Sequence, residues 1–199
     1  MQPLADKALI LIGFQNDYFS PDGILHKVIE ESSRVTGVVE NTVNLLRKVG
    51  SEFGLVVNTP IHFTGDYSEL KKPIGILKVI ADVGAFKEGS YGAEIINELT
   101  EFDDFVKVIP GKRGLNAFTN TQLAHSLREA GIKELVIAGT VTSICIDSTA
   151  RSAIDMGFQV SVLSDCTSSR TTFEQDFYCQ EVFPLYAQVI RSQELIAPQ

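Results

Sequence analysis

Short apolar runs alternate along the chain with stretches whose apolar residues recur at helical spacing. Runs such as Ala8–Ile12 and Glu134–Ala138 do not alternate strictly with polar residues, which is typical of strands buried on both faces. Val35–Val49 instead places apolar residues every three or four positions, as an amphipathic helix does. Because parallel strands are joined by helices, the pattern predicts an α/β fold with a mostly parallel sheet.

The predicted elements follow one another in regular order, and glycine marks several of their ends. The six predicted strands are Ala8–Ile12, Gly54–Asn58, Phe105–Ile109, Glu134–Ala138, Gln159–Leu163 and Ala187–Ile190. The predicted helices are Val35–Val49, Tyr91–Leu99, Thr121–Ala130 and Ile144–Met156. No linker-like stretch divides the chain, so we predict one domain over residues 1–199, a Rossmann-like three-layer α/β/α arrangement.

Composition and charge narrow the function classes. Hydrophobic residues make up 44% and charged residues 21% of the 199 residues, as in globular domains rather than disordered chains. There are 25 acidic and 17 basic residues, a formal net charge of −8. Without a basic surplus, the chain is a poor match for nucleic acid or an anionic membrane. A small-molecule substrate is the partner we expect.

Cysteine content and the N-terminus bear on the compartment. Three cysteines, an odd number, occur in a chain long enough to fold without disulfides, and this favours a reducing compartment with free thiols. Residues 1–7 do not lead from a basic segment into a long apolar run, so no signal peptide is predicted. No stretch approaches the ~18 apolar residues of a membrane span. We predict a cytoplasmic protein.

The segment Gly139–Cys145 leaves a buried strand and enters a predicted helix, at the edge of the sheet where ligands bind in this kind of fold. Cys145 would lie in the first helical turn, where unpaired N–H groups and the helix dipole favour a thiolate and could bind an oxyanion. The same position also suits an inert cysteine that packs the helix against the sheet.

Two other strand ends carry candidate residues. Lys112, past the third strand, could stabilise a thiolate or hold a carbonyl oxygen, or it could be an ordinary solvated loop lysine. Gln15, Asn16 and Asp17 form a polar triplet between aromatic residues past the first strand. Asp17 could cap a turn or act as an active-site carboxylate.

Together these segments resemble the isochorismatase-like cysteine hydrolases, the family with nicotinamidases and N-carbamoyl-amide hydrolases. The resemblance runs from Lys7 to about Ile190 and depends on the order and spacing of four segments. They are Gln15-Asn16-Asp17-Tyr18-Phe19, Tyr91–Ile95, Lys112 with Phe118, and Gly139–Cys145 with the following Ser148–Arg151. The resemblance implies a single isochorismatase-like hydrolase domain.

The resemblance also implies roles for individual residues. Cys145 falls on the catalytic nucleophile and Lys112 on the catalytic lysine of an Asp–Lys–Cys triad. A non-proline cis peptide would join Thr140 and Val141, and the N–H groups of Val141 and Cys145 would form the oxyanion hole. No cofactor is implied. A homo-oligomer, dimer or tetramer, is expected on the resemblance alone.

The triad aspartate is missing. The family pattern has Asp, any residue, and then Gln-Asn-Asp-Phe, and Gly13 occupies the first of these positions. Acid–base catalysis contributes about 10²–10⁴-fold, so its direct loss would be severe. Three interpretations stay open: another carboxylate such as Asp17 substitutes, Lys112 and the helix end hold a thiolate while substrate or water moves protons, or hydrolysis is lost.

Other residues have lesser assignments. We predict Phe14, Phe19, Phe118 and His62 as substrate contacts. His62 and Asp66 follow the second strand without the Asp-x-His pair of nicotinamidases, so no metal site is predicted. Asp165 is expected to bind neighbouring N–H groups, and Arg151 to form a structural ion pair. Cys166 has no assigned use, and Cys179 is assigned to packing.

Two function hypotheses follow. The first is a cysteine hydrolase that acts on a small amide or related C–N bond. The second is a catalytically impaired relative that works as a small-molecule binding or interaction protein, and Gly13 motivates it. A nucleotide-binding protein is disfavoured, because neither a G-x-G-x-x-G motif nor a P-loop occurs.

Overall fold

Six parallel strands form the sheet in residues 4–196, the part of the chain that the computed structural model describes. Met1–Pro3, part of the segment on which the signal-peptide prediction depends, lies outside the described residues. The strands are β1 (Lys7–Ile12), β2 (Leu55–Thr59), β3 (Val106–Val108), β4 (Glu134–Thr140), β5 (Gln159–Ser168) and β6 (Gln188–Ile190). Their order is β3-β2-β1-β4-β5-β6. The predicted α/β class with a six-stranded parallel sheet is confirmed.

Helices connect the strands and cover the sheet. The α-helices are α1 (Asn16–Phe19), α2 (His26–Thr36), α3 (Val38–Val49), α4 (Gly75–Val83), α5 (Leu123–Glu129), α6 (Asp147–Asp155), α7 (Thr172–Phe177) and α8 (Ser192–Ile196). The single helix predicted over Tyr91–Leu99 is wrong: two short 3₁₀ turns, Tyr91–Ala93 and Asn97–Phe102, stand there instead. A π-helical turn, Thr142–Ile146, leads directly into α6.

The strand β1 shows how the sequence builds the layers. Ala8, Ile10 and Ile12 pack into one core, which the apolar faces of α5 and α6 complete. Leu9 and Leu11 point to the opposite face, into a core completed by α3. Since successive side chains of a strand point to opposite faces, the unbroken apolar run is explained by helices on both sides.

One predicted helix boundary is wrong. Val35 belongs to the end of α2, and Gly37 separates α2 from α3. Gly37 adopts the left-handed conformation, with φ of 66°, so it ends one helix and begins the next at an angle. The apolar spacing continues across this break, which is why the pattern by itself joins the two helices.

The strand order fixes where a site can lie. From β1 the chain proceeds outward through β2 to β3, then returns to β4 on the other side of β1. The carboxyl ends of β1 and β4 therefore flank the point where the strand order reverses, and ligands bind in this crevice in open α/β sheets. Gly13 follows β1 there, and the turn that carries Cys145 follows β4.

Candidate active site

A small cavity lies at this reversal point. Its polar and glycine members are Gly13, Tyr18, Lys112, Thr140 and Cys145. Its apolar members are Ile61, Ile76, Leu77, Ile80, Leu115 and Ile144. Its water-accessible volume is about 10 Å³, which is room for roughly one water molecule. An amide substrate would therefore need neighbouring side chains to move.

Cys145 lies in the turn Thr142–Ile146, on the wall of the cavity, and is 7% exposed. The turn is held to the end of β4 by N–H groups of Ile144 and Ile146, which donate to the Val141 carbonyl at 3.0 and 3.2 Å. The peptide bond between Thr140 and Val141 is cis, as the resemblance implied. The thiol thus has a fixed position in front of α6.

Lys112 brings a positive charge to the thiol. The residue is only 1% exposed, and its Nζ donates to Cys145 Sγ at 3.5 Å and to the Gly114 carbonyl at 2.5 Å. A bridge between Ile61 and Lys112 ties its backbone to the loop after β2. Lys112 takes part in none of the ion pairs found in residues 4–196. A solvated loop lysine would not be buried in this way.

Gly13 forms part of the cavity, at the position where the resemblance led us to expect an aspartate. Its φ of 74° is in the left-handed region. A Cβ added here would lie 2.7 Å from the Thr140 carbonyl oxygen, closer than a real Cβ approaches. The backbone at this position therefore has the conformation and the clearance of glycine. None of the described residues that line the cavity carries a carboxylate.

The triplet that follows Gly13 fastens the surrounding loops. The Gln15 side chain donates to the carbonyls of Ile61 and Ala93, at 2.9 and 2.7 Å, and accepts from the Ile61 N–H at 2.8 Å. Asn16 Nδ2 donates to the Tyr91 carbonyl at 2.9 Å. These bonds satisfy buried polar groups and fix Ile61 as a cavity wall.

Asp17 also fastens the loops that surround the cavity. Its carboxylate accepts from the Phe86 N–H at 2.6 Å and from the Ile24 N–H at 3.4 Å. Asp17 is 2% exposed and is not among the cavity-lining residues. The geometry thus favours the turn-capping alternative over a substitute for the triad aspartate.

These features can be compared with known proteins. A family model described as the isochorismatase domain matches residues 7–194. The chain belongs to the isochorismatase family. Nicotinamidase 3 of Arabidopsis thaliana is 27% identical over 176 residues, which are 86% of this chain and 76% of the relative. A ureidoacrylate amidohydrolase, RutB of Variovorax paradoxus, is 28% identical over 182 residues, 83% of this chain and 71% of the relative.

A solved structure agrees in fold. An isochorismatase family protein from Desulfovibrio vulgaris superposes with a TM-score of 0.81 and is 26% identical, with 96% of each chain covered. The family assignment and the relatives support a hydrolase of the isochorismatase family for this chain.

The four residues predicted as substrate contacts do not line the cavity in this isochorismatase-family structure. Phe14 is fully buried in the core beneath α3 and stacks on Phe19, with ring centroids 5.4 Å apart. Phe118 packs in the opposite core against Phe158, and His62 Nε2 lies 3.0 Å from the Ala93 carbonyl oxygen. Their neighbours in the sequence are near the site, but strand and turn geometry directs these side chains into packing or loop contacts.

Sequence reasoning missed the apolar wall and Tyr18. Ile76, Leu77 and Ile80 come from α4, whose apolar residues recur at helical spacing but which is not among the predicted helices. Tyr18 belonged to a recognised motif, but Phe14 and Phe19 were preferred to it as substrate contacts. Its position six residues after the end of β1 was the signal that could have found it.

The other two cysteines, Cys166 and Cys179, lie away from the cavity. Burial, with the adjacent Asp165 carboxylate, raises the pKa of the Cys166 thiol to about 12. Burial, with Asp176, does the same for Cys179. At neutral pH both thiols remain protonated, the unreactive form of cysteine.

Two further residues have structural partners. The Asp165 carboxylate accepts from the N–H and the hydroxyl of Ser192, both at 2.8 Å, at the start of α8. Arg151 pairs with Asp147 at 3.0 Å along α6.

Residues 4–196 lack two features, a metal cluster and a membrane-spanning helix. Within them, His, Cys, Asp and Glu form no group of three or more that is placed to hold a metal ion. No helix of this part of the chain is long and apolar enough to cross a membrane.

Proposed function

We propose that the protein is a cysteine hydrolase that cleaves a small amide or related C–N bond through an acyl-enzyme on Cys145. The observation that carries this proposal is the buried Lys112 ammonium, 3.5 Å from the Cys145 sulfur. The names of the relatives, a nicotinamidase and a ureidoacrylate amidohydrolase, support amides as the substrate class.

Charge balance explains how the thiol is activated. An ammonium buried without a counter-charge is costly, and the ion pairs of residues 4–196 give Lys112 no carboxylate. A thiolate on Cys145 supplies the missing negative charge at hydrogen-bond distance. The turn at the N-terminal end of α6 adds favourable backbone dipoles. Lys112 and Cys145 thus form an ion pair in place of a triad.

The proposed reaction uses this ion pair for both proton transfers. The thiolate attacks the amide carbonyl, forming an S–C bond and a tetrahedral oxyanion, which the N–H groups of Val141 and Cys145 stabilise. As the C–N bond breaks, the Lys112 ammonium gives a proton to the leaving nitrogen. Neutral Lys112 then takes a proton from the attacking water as the thioester is hydrolysed. The acid product leaves, and the ammonium and thiolate are restored.

Substitutions at Lys112 and Cys145 test this mechanism. With nicotinamide, ureidoacrylate and short aliphatic amides as substrates, ammonia release measures turnover. We expect Cys145→Ala to abolish turnover, and Lys112→Met to lower it by about 10²-fold or more. Lys112→Arg keeps the charge but cannot release a proton, so Cys145 should still react quickly with iodoacetamide while turnover stays low.

Lys107→Met is the matched control, because Lys107 is an exposed lysine on the edge strand β3. It should match the wild type in both assays. Full turnover by Cys145→Ala would overturn the proposal, and so would an alkylation rate at Cys145 no faster than at Cys166. Circular dichroism checks that each variant is folded.

A second candidate function is small-molecule binding without hydrolysis. The observation that favours it is the absence of a carboxylate among the described residues that line the cavity. In that case amides should protect Cys145 from alkylation without forming an acyl adduct detectable by mass spectrometry. An adduct of the acyl mass on Cys145 would exclude this second function.

A further inference from the structure

Tyr18 is a polar residue of the cavity that the proposed reaction does not use. It is 4% exposed, lies on α1 and lines the cavity together with Lys112 and Cys145. Within residues 4–196 its hydrogen bonds are made by its backbone: its N–H donates to the Gln15 carbonyl, and its own carbonyl lies 3.1 Å from His26 Nδ1. The phenol hydroxyl is therefore left for a ligand.

The other polar atoms of the cavity are already occupied. The Thr140 hydroxyl donates to the Ser168 carbonyl at 2.9 Å, and Lys112 donates to Gly114 and Cys145. The rest of the wall is aliphatic apart from Gly13. A ligand atom that accepts from the Tyr18 hydroxyl would add a hydrogen bond that no residue within 4–196 makes to it.

The ring that carries the hydroxyl is held in place. It packs against Phe86 with ring centroids 4.9 Å apart, and the Phe86 N–H is bound by the Asp17 carboxylate at 2.6 Å. Burial, together with the charges of Cys145 and Asp17, raises the pKa of the Tyr18 phenol. The phenol therefore keeps its proton at neutral pH and acts as a donor.

We infer that Tyr18 is a specificity-determining residue whose hydroxyl donates a hydrogen bond to an acceptor atom of the substrate's acyl part. This inference rests on the proposed amide substrate class. It narrows that class to small amides that combine an apolar surface for the aliphatic wall with one neutral acceptor near the carbonyl. A wholly apolar acyl group would leave the hydroxyl unpaired and should bind more weakly.

Isosteric amide pairs test the inference by binding, without need for turnover. Glycolamide and propionamide, 3-hydroxypropanamide and butanamide, and nicotinamide and benzamide differ chiefly in whether an acceptor is present. For each compound, mass spectrometry gives the concentration that halves the rate of iodoacetamide modification at Cys145. A ligand-induced rise in Tm provides an independent measure of binding.

In the wild type, the polar member of at least one pair should bind about ten-fold more tightly than its apolar partner. Tyr18→Phe removes only the hydroxyl and should abolish this preference, largely by weakening the polar member. Tyr67→Phe is the matched control, because the Tyr67 hydroxyl donates to the Ala85 carbonyl at 2.8 Å and Tyr67 does not line the cavity. It should keep the preference.

The inference is overturned if no pair discriminates in the wild type, if none of these compounds binds, or if Tyr18→Phe retains the preference while folded. Failure of the proposed hydrolysis gives a different result. In that case Cys145→Ala would match the wild type in ammonia release, whereas the binding preference and its loss in Tyr18→Phe would still be measurable.

Discussion

Position 13 shows how one residue changes both the chemistry and the backbone of the site. The left-handed φ of Gly13 and the 2.7 Å approach of a built Cβ to the Thr140 carbonyl oxygen act together. An aspartate here would meet a backbone atom, which cannot rotate away as a flexible side chain could. Introducing the aspartate that the resemblance implies is therefore a conformational change as well as a chemical one.

Gly13→Asp and Gly13→Ala should both destabilise the fold, by about 1–3 kcal/mol. The two variants share the added Cβ and differ in charge, so similar losses would show that backbone strain is the cause. Denaturant unfolding measures the change. If Gly13→Asp is as stable as the wild type and also gains amide hydrolysis, the glycine conformation described here does not govern this position.

At the level of the element, α4 supplies three of the apolar residues that line the cavity. Its residues Ile76, Leu77 and Ile80 line a cavity of only about 10 Å³. Ile80 is the buried residue of this helix, while Val79 and Val83 are 43% and 45% exposed. A helix with so little buried surface opens more easily than the core strands do. We therefore expect α4 to control access to Cys145.

Leu77→Ala should enlarge the cavity and admit larger reagents. The rate at which N-phenylmaleimide modifies Cys145, divided by the rate for the smaller iodoacetamide, should rise about ten-fold, equivalent to ~1.4 kcal/mol in barrier. Val79→Ala removes a similar apolar group from the exposed side of the same helix and should leave the ratio unchanged. Equal ratios in both variants would show that α4 does not limit access.

At the scale of the whole molecule, stability depends on groups that join distant elements. Glu174 on α7 pairs with Arg170 at 2.9 Å. Burial alone would raise its pKa, but hydrogen bonds led by those from Arg170 and Ser143 outweigh it and lower the pKa to about 2. Ser143 belongs to the turn that carries Cys145, so this carboxylate links α7 to the site.

That the protein forms a homo-oligomer stays a prediction, made on the family resemblance alone.

The free energy of unfolding should fall as the pH is lowered through the range that Glu174 titrates. Its folded pKa of about 2 lies below its ordinary value of 4.5. The stabilisation is therefore fully present above 4.5 and is lost as pH falls toward 2. The stability difference between the wild type and Glu174→Gln should shrink over that range, as urea unfolding at successive pH values would show. A difference that is constant with pH would contradict this.

The sequence by itself determined the class of fold and pointed to two candidate residues for the reaction. Unbroken apolar runs such as Ala8–Ile12 require cover on both faces, so they specify buried parallel strands with helices on each side. Cys145 and Lys112 became candidates because each lies in a segment that follows a predicted strand, where the ends of parallel strands converge, and the family resemblance then implied their catalytic roles. The structure brings them to 3.5 Å, a separation that their spacing in the chain does not encode.

Only the tertiary structure decided what surrounds those two groups. Phe14 and Tyr18 are both aromatic residues just after β1, yet Phe14 is in the core and Tyr18 lines the cavity. Asp17 could have served as a catalytic carboxylate until the Phe86 N–H, 69 residues away in the chain, was found bonded to it. The direction of a side chain depends on turn geometry and on partners distant in the sequence, because burial and hydrogen bonding are settled between elements and not within them.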